Sequence, residues 1–413
     1  MIHVCYGLCD INGRYSKFCG TSIVSIFENT VEHVTVHILH DDSLTADNRD
    51  KFMYLAGQYN QQIKFYNVEE LASARINQIK NDLSDKFDSP ATIGTFYRLI
   101  MLELLPSSID KIIYLDAGDT IVHLDIKKLW SVDLKDYPIA AVPDFGNVKY
   151  FPQTLKLCTQ GIVKYQNYFN AGLIVLSLSH LRFNINKIWE GADRPSGYEF
   201  LVRNFNKLRY LDQDVLNYCF SDQYLKLPDT FNCILTWERM KSSEHVIEQK
   251  IYHFAGSKPL QSVDIFSRLY LEYFSKTPWF NADIFDGIIN FVNAQLDRQK
   301  HFMLNVTNLL AHKQRAFFVE PQYLDGLRAL FDINKDEPVY NSSASDAINK
   351  LIDVMRSNAD NVLVFILAGN YFSISNQLIA QNFVENRDFI NVTQFLTSHQ
   401  GVSINFQSVL DAL

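Results

Sequence analysis

Lys111-Ile112-Ile113-Tyr114-Leu115-Asp116-Ala117-Gly118-Asp119-Thr120 passes from apolar to acidic within a few residues. Its first half is a continuous run of β-branched, aromatic and leucine side chains, the pattern of a strand buried on both faces of a parallel sheet. Its second half delivers two carboxylates, Asp116 and Asp119, to the carboxyl end of that strand. Open α/β sheets take their ligands beyond the carboxyl ends of their strands. Chemistry is therefore expected in the loops after Leu115 and after the first strand, at Tyr6. Gly118 is expected to let the backbone turn sharply between the two acids. Paired carboxylates are hard oxygen ligands, suited to Mg²⁺ or Mn²⁺. A cation held there can neutralise charge on a departing nucleoside diphosphate. The plainer alternative is a polar turn after a strand.

Outward from this segment, strand and helix signals alternate. Ile2–Tyr6, His33–Leu39, Gln62–Tyr66 and Lys111–Leu115 read as strands. Gly20–Glu28, Leu44–Gln58 and Thr95–Leu105 read as helices, the last stopped by Pro106. This order predicts an α/β domain with a mostly parallel sheet and helices on both faces. A boundary is expected near Ser275-Lys276-Thr277-Pro278-Trp279, giving domains 1–275 and 276–413. The second opens with helical stretches over 282–312 and continues as a small α/β series. Its strands are Arg315–Val319 and Val362–Leu367, and its helices Ser345–Met355 and Ile374–Phe383, with Ser345 as an N-cap.

The chain has 413 residues, of which 47% are hydrophobic and 20% charged, enough for a large core in two or three domains. The net charge of -8 argues against a general nucleic-acid binder. No two of the six cysteines have the C-x2-C spacing of a zinc site, and they are too sparse for a disulfide framework, so they are expected as buried thiols. The N-terminus lacks the basic and apolar regions of a signal peptide. No apolar stretch approaches the ~20 residues that span a bilayer. A cytoplasmic protein is expected, with peripheral membrane contact and a homodimer left open.

Three further segments carry polar groups suited to a site. Tyr252-His253-Phe254-Ala255-Gly256-Ser257-Lys258 places an imidazole, a glycine and a lysine on one loop. His253 can complete a cation's ligand set, and Gly256 and Lys258 can meet a phosphate. Phe169-Asn170-Ala171-Gly172 precedes a strand, where the Asn170 amide can meet a sugar hydroxyl. In Leu211-Asp212-Gln213-Asp214, Asp212 and Gln213 can face a pocket, or Asp212 can cap a helix.

In this order the segments resemble glycosyltransferase family 8, retaining enzymes of GT-A fold, over about residues 1–265. The resemblance implies a Rossmann-like mixed sheet with helices on both faces, plus a smaller C-terminal α/β add-on. It implies that Asp116, Asp119 and His253 hold Mn²⁺ or Mg²⁺, and that Gly256 and Lys258 contact the diphosphate. Arg98, Asn170, Ala171, Asp212 and Gln213 would surround the donor sugar, with Asp212 and Gln213 the expected catalytic pair. Tyr15 would stack on uracil, while Asp10 and the backbone of Tyr6, Gly7 and Leu8 read its edge. Three departures stand out. The acidic motif has one residue more than D-x-D, the loop Cys9–Tyr15 is longer than usual, and the histidine-to-lysine spacing is one residue shorter.

The implied reaction moves a hexose, galactose before glucose, from a UDP-sugar to a hydroxyl of a glycan acceptor. The narrower similarity is to Gram-positive enzymes that extend glycans on serine-rich adhesins. With no nucleophile beyond Asp212 or Gln213 on offer, same-face attack is the expected mechanism, a phosphate oxygen taking the proton. Two other readings compete. Leu115–Thr120 also resembles the nucleophile strand of haloacid-dehalogenase-type phosphohydrolases, although that strand normally opens its domain. A protein that binds nucleotide sugars without turning them over is the second.

Overall fold

The computed structural model describes residues 1–83, 90–191, 194–241, 245–256, 259, 264–281, 283, 286, 306, 308–321, 324, 328, 333–334, 336–344, 346–358, 361–368 and 371–392. The chain forms two compact units, Met1–Pro259 with Ile265–Ala282, and Leu260–Asp264 with Asp283–Leu413.

The first unit is built on β1 (Ile2–Leu8), β2 (Val34–His40), β3 (Gln62–Asn67), β4 (Lys111–Asp116), β6 (Ile139–Pro143), β7 (Phe169–Ser177) and β8 (Tyr224–Lys226). They form one sheet in the order β3-β2-β1-β4-β7-β6-β8. β3, β2, β1 and β4 are mutually parallel, as the alternating strand and helix signals predict. β7 runs antiparallel to both of its neighbours, so the sheet is mixed. All nine residues of β7 are buried. Continuous burial declares that both faces are covered, but carries no information about strand direction.

A small second sheet joins β5 (Thr120–Val122), β10 (Ile251–His253) and β9 (Cys233–Ile234). It pairs His253 with Thr120 on one side and with Ile234 on the other. The acidic turn and the histidine strand, far apart in sequence, are thereby fixed side by side.

The first helix starts earlier than its apolar spacing suggests, spanning Arg14–Asn29. Asp10 explains the start: its carboxylate accepts from the Ser16 backbone N–H and hydroxyl, and from Asn48 Nδ2 at 2.8 Å. The long loop therefore contracts to a 3-10 turn at Ile11–Gly13 followed by helix. Asn48 in turn accepts from Trp279 Nε1 at 2.7 Å, tying the end of this unit to its first loop. The helix expected from Thr95 begins at Tyr97, after a 3-10 segment Pro90–Phe96, and ends at Leu104 before Pro106.

The second unit carries a parallel sheet ordered β12-β11-β13-β14, from β11 (Gln314–Val319), β12 (Val339–Asn341), β13 (Val362–Leu367) and β14 (Phe389–Asn391). Alternate residues enter two cores, Ala316, Phe318, Val364 and Ile366 in one, Phe317, Val319, Leu363 and Phe365 in the other. Its helices span Ala347–Ser357 and Tyr371–Ile379. The expected cap Ser345 and most of the expected helix over 282–312 lie outside the described residues.

His37 of β2 is fully buried, its ring nitrogens meeting His3 Nδ1 and the Tyr66 hydroxyl, both at 3.0 Å. Burial, with His3 and Lys64 adding, pushes its pKa down to about 3. The unfolded chain therefore binds the proton first, and stability present above the ordinary histidine pKa is lost as pH falls towards the folded value. From His37 alone, about 2 kcal/mol is expected to go between about pH 7 and pH 5. Urea unfolding of wild type and His37→Asn across that range checks it, the variant showing the flatter dependence.

Candidate active site

Beyond the carboxyl ends of β1 and β4 lies a cavity of 390 Å³. Gly7, Tyr15, Arg98, Asp116, Asp119, Asp212 and Gln213, all singled out in the sequence, line it. So do Cys9, Tyr114, Arg209 and Tyr210, which the sequence did not single out.

Arg98 organises its floor. The side chain is only 7% exposed, and each of its three nitrogens has a partner. Nη2 donates to Asp116 Oδ1 at 2.6 Å, Nη1 to the Ala171 carbonyl at 2.5 Å, and Nε approaches Asp212 Oδ2 at 2.9 Å. The guanidinium lies over the Tyr114 ring, 4.6 Å from its centroid. Burial works against its charge, but Asp116 and Asp212 outweigh that and raise its pKa.

The two acids respond differently. Burial disfavours ionised Asp116, yet Arg98 and His253 prevail and hold its carboxyl well below the usual range. Burial pushes Asp212 up to about 6 against the pull of Arg98, with the negative charge of Asp116 adding to the rise. Asp212 is not the helix cap. The helix spans Leu211–Phe220 with Tyr210 at its N-cap, and the carboxylate that takes the Arg209 and Tyr210 N–H groups is Asp214, at 3.0 and 2.9 Å. Gln213 spans helix and sheet, accepting from the Ala171 N–H at 2.9 Å and donating to the Tyr168 hydroxyl at 3.0 Å.

The remaining residues sit as follows. Tyr6 is buried and bonds Ser22 Oγ at 2.9 Å, and Leu8 is buried at the end of β1. Asp10 is buried with both oxygens engaged inside the protein. Tyr15 packs over Gly118, where an added Cβ would come within 3.2 Å of its ring. The backbone does turn over residues 117–119, as expected, and Gly118 also supplies close approach to the Tyr15 ring. Asn170 is buried, its amide bonded to Asp144, Gly172 and Asn232. Gly256, with φ of 72°, lies in the turn after β10. Lys258 lies outside the described residues.

The expected metal ligands come together in part. Among the described residues no three His, Cys, Asp or Glu side chains group closely enough to hold an ion. Two of the expected three do face each other. His253 Nε2 lies 3.6 Å from Asp116 Oδ2, too far for a good hydrogen bond. It is buried without a hydrogen-bond partner among the described residues. Gly172 keeps the space beside them open: a Cβ there would sit 2.8 Å from Nε2 and 2.6 Å from Oδ2. Asp119 lines the same cavity, and its carbonyl accepts from the Phe254 N–H at 2.7 Å, which keeps it beside the histidine strand. An imidazole nitrogen and carboxylate oxygens around such a gap suit a small divalent cation.

Comparison with known proteins bears on the family and the fold. The model of Glycosyl transferase family 8 matches residues 8–262. A lipopolysaccharide 1,3-galactosyltransferase of Salmonella typhimurium is 23% identical over 328 residues, spanning 76% of this chain and 90% of its own length. A lipopolysaccharide 1,2-glucosyltransferase of Escherichia coli is 25% identical over 287 residues, 66% of this chain and 78% of its own. Among solved structures, the galactosyltransferase LgtC in complex with donor and acceptor sugar analogs aligns with a TM-score of 0.53 at 20% identity. That alignment covers 68% of this chain and 98% of LgtC, and speaks for the fold, which is of GT-A type.

Removing the cation from the floor should be costly. Arg98→Met would leave the buried Asp212 and the partly exposed Asp116 without their guanidinium, an expected loss of about 3–5 kcal/mol. Chemical denaturation measures it. A loss below about 1 kcal/mol, the range of an exposed pair, would show that the bridge is not buried as described.

Proposed function

The chain belongs to glycosyl transferase family 8 and is a glycosyltransferase, and we propose that it moves a hexose from a UDP-sugar to a hydroxyl of a glycan acceptor, with Mn²⁺ or Mg²⁺ and retention at the anomeric carbon. Family membership displaces the phosphohydrolase reading, and the glycosyltransferase relatives speak against the non-catalytic one. The observation that carries the proposal is the facing pair Asp116 and His253 beside the Arg98-bridged acids, at the end of a cavity large enough for a sugar nucleotide's reacting half.

Asp116 Oδ2, His253 Nε2 and Asp119 are the residues that would hold the cation. Once bound, it would supply positive charge against the diphosphate of the departing UDP. Arg98 keeps Asp116 turned so that Oδ1 is engaged and Oδ2 faces the histidine. It also holds Asp212 at the cavity wall. Tyr15 offers a ring to the uracil, its position over Gly118 bringing that face to the cavity rim. Asp212 is committed to Arg98, and the Gln213 amide is bonded at both ends. Neither is thereby poised as a free nucleophile, which favours same-face attack over a double displacement. In that step the bond from sugar to phosphate breaks, the acceptor oxygen bonds the anomeric carbon from the vacated side, and its proton passes to a phosphate oxygen. Positive charge developing on the sugar ring is the feature such a site must stabilise.

Galactose stands before glucose because the Salmonella relative is a galactosyltransferase. The Escherichia coli glucosyltransferase keeps glucose as the second donor to test. A glycan on a glycosylated polypeptide, such as an adhesin, is the acceptor class offered by sequence resemblance. A cytoplasmic setting is consistent with six cysteines that stand as thiols. No helix among the described residues is long and apolar enough to cross a membrane. A homodimer forms no part of this reading.

Release of UDP from UDP-galactose and UDP-glucose, with and without Mn²⁺, tests the proposal. Asp116→Asn and Asp119→Asn are each expected to lower the rate at least ~100-fold, the scale on which removing electrostatic stabilisation acts. Chelation should do the same to wild type. Undiminished turnover by both variants in the presence of chelator would end the metal-dependent reading.

A further inference from the structure

The His253 imidazole is held from behind by a chain of amides whose direction can be worked out. Its Nδ1 lies 3.0 Å from Asn232 Oδ1. Asn232 Nδ2 donates to Asn170 Oδ1 at 2.9 Å, and Asn170 Nδ2 donates to Asp144 Oδ2 at 3.0 Å. Asn232 is 2% exposed, Asn170 4% and Asp144 1%, so the network is buried.

Amide orientations are ordinarily a matter of assignment, because nitrogen and oxygen look alike. Here two groups of known character settle them. The backbone N–H of Gly172 can only donate, and it meets Asn170 Oδ1 at 2.9 Å. That atom is therefore the oxygen. At the far end Asp144 also accepts from the backbone N–H of Asn147 at 3.2 Å and from Trp237 Nε1 at 3.3 Å, both obligate donors. Asn232 must then meet Asn170 with its NH₂ and turn its oxygen to His253. An oxygen that only accepts requires Nδ1 of the imidazole to carry the hydrogen. In the neutral ring that leaves Nε2 as the bare lone pair, and Nε2 is the atom directed at Asp116 Oδ2 across the 3.6 Å gap.

We propose that Asn232, oriented through Asn170 by Asp144 and the Gly172 N–H, is a positioning residue that fixes His253 in the Nδ1–H tautomer with Nε2 free to bind the cation. The inference rests on the metal-dependent reading above, but its central claim concerns the metal-free protein. Partners of this kind behind a ligating histidine typically govern metal affinity by 10–100-fold. Nothing local marks Asn232 for this role, since an asparagine after a short 3-10 turn is ordinary turn chemistry.

Two measurements test it. In metal-free wild type, at a pH where the imidazole is neutral, ¹⁵N chemical shifts should report His253 as Nδ1–H, with His253→Gln identifying the signal. An Nε2–H ring overturns the proposal, whatever any variant does. In the second, Mn²⁺ affinity is followed by electron paramagnetic resonance, with circular dichroism confirming the fold. Asn232→Leu, which removes the acceptor, should weaken binding by about 10–100-fold. Asn232→Asp, which still accepts from Nδ1–H, should recover most of the loss. Wild-type affinity in a folded Asn232→Leu protein overturns the proposal. So does an equal loss in both variants, since that would mark a merely structural residue. If Asn232→Leu fails to fold, the tautomer spectrum of wild type decides alone. Wild type that binds no Mn²⁺ but shows the Nδ1–H ring would end the metal-dependent reading and leave the tautomer assignment standing.

Discussion

One buried guanidinium constrains most of what surrounds the cavity. Arg98 reaches β4 through Asp116, β7 through the Ala171 carbonyl and the helix Leu211–Phe220 through Asp212. Such a charge in a low-dielectric interior must have its partners, because the penalty for leaving it alone exceeds the gain from any one contact. The three segments are therefore held to a common centre, and small displacements of any one would be resisted by the other two. The arginine can serve this way because its donors point in fixed, coplanar directions, which a lysine's do not.

A second layer of polar contacts supports the first. Along the helix Leu211–Phe220, Gln213 bonds Ala171 and Tyr168, Asp214 bonds Tyr168 and two backbone N–H groups, and Asn217 bonds both backbone groups of Phe169. Buried polar groups of this density are tolerable only when fully partnered. Each side chain here serves the mouth of β7, where that strand enters the site.

The parts of this structure that could be read from sequence are those with local signatures. Strands β1 to β4 announced themselves by apolar runs, and Asp116 and Asp212 by residue type beside an apolar element, while Arg98 was reached only through the family resemblance. The direction of β7 could not be read, since burial on both faces looks alike whichever way a strand runs. Nor could the division of labour between Asp212 and Asp214, two residues apart on one helix, because it depends on which of them finds Arg98. Asp10 was readable as an acid near the first strand, but its consumption by Ser16 and Asn48 follows from a helix start that no periodicity marks. Asn232 and Asp144 were silent for the same reason: their meaning lies wholly in partners distant in the chain.

The turn between β4 and β5 shows how such a site can tolerate change. Its two ends are anchored independently, Asp116 by pairing with Gly7 of β1 and Thr120 by pairing with His253 of β10. What lies between, Ala117-Gly118-Asp119, bulges into the cavity under the Tyr15 ring without altering either register. Evolution can therefore lengthen or shorten this loop by a residue as it would a surface hairpin. The first acid and the histidine keep their relation to the sheet, and the second acid is left as the adjustable member of the set.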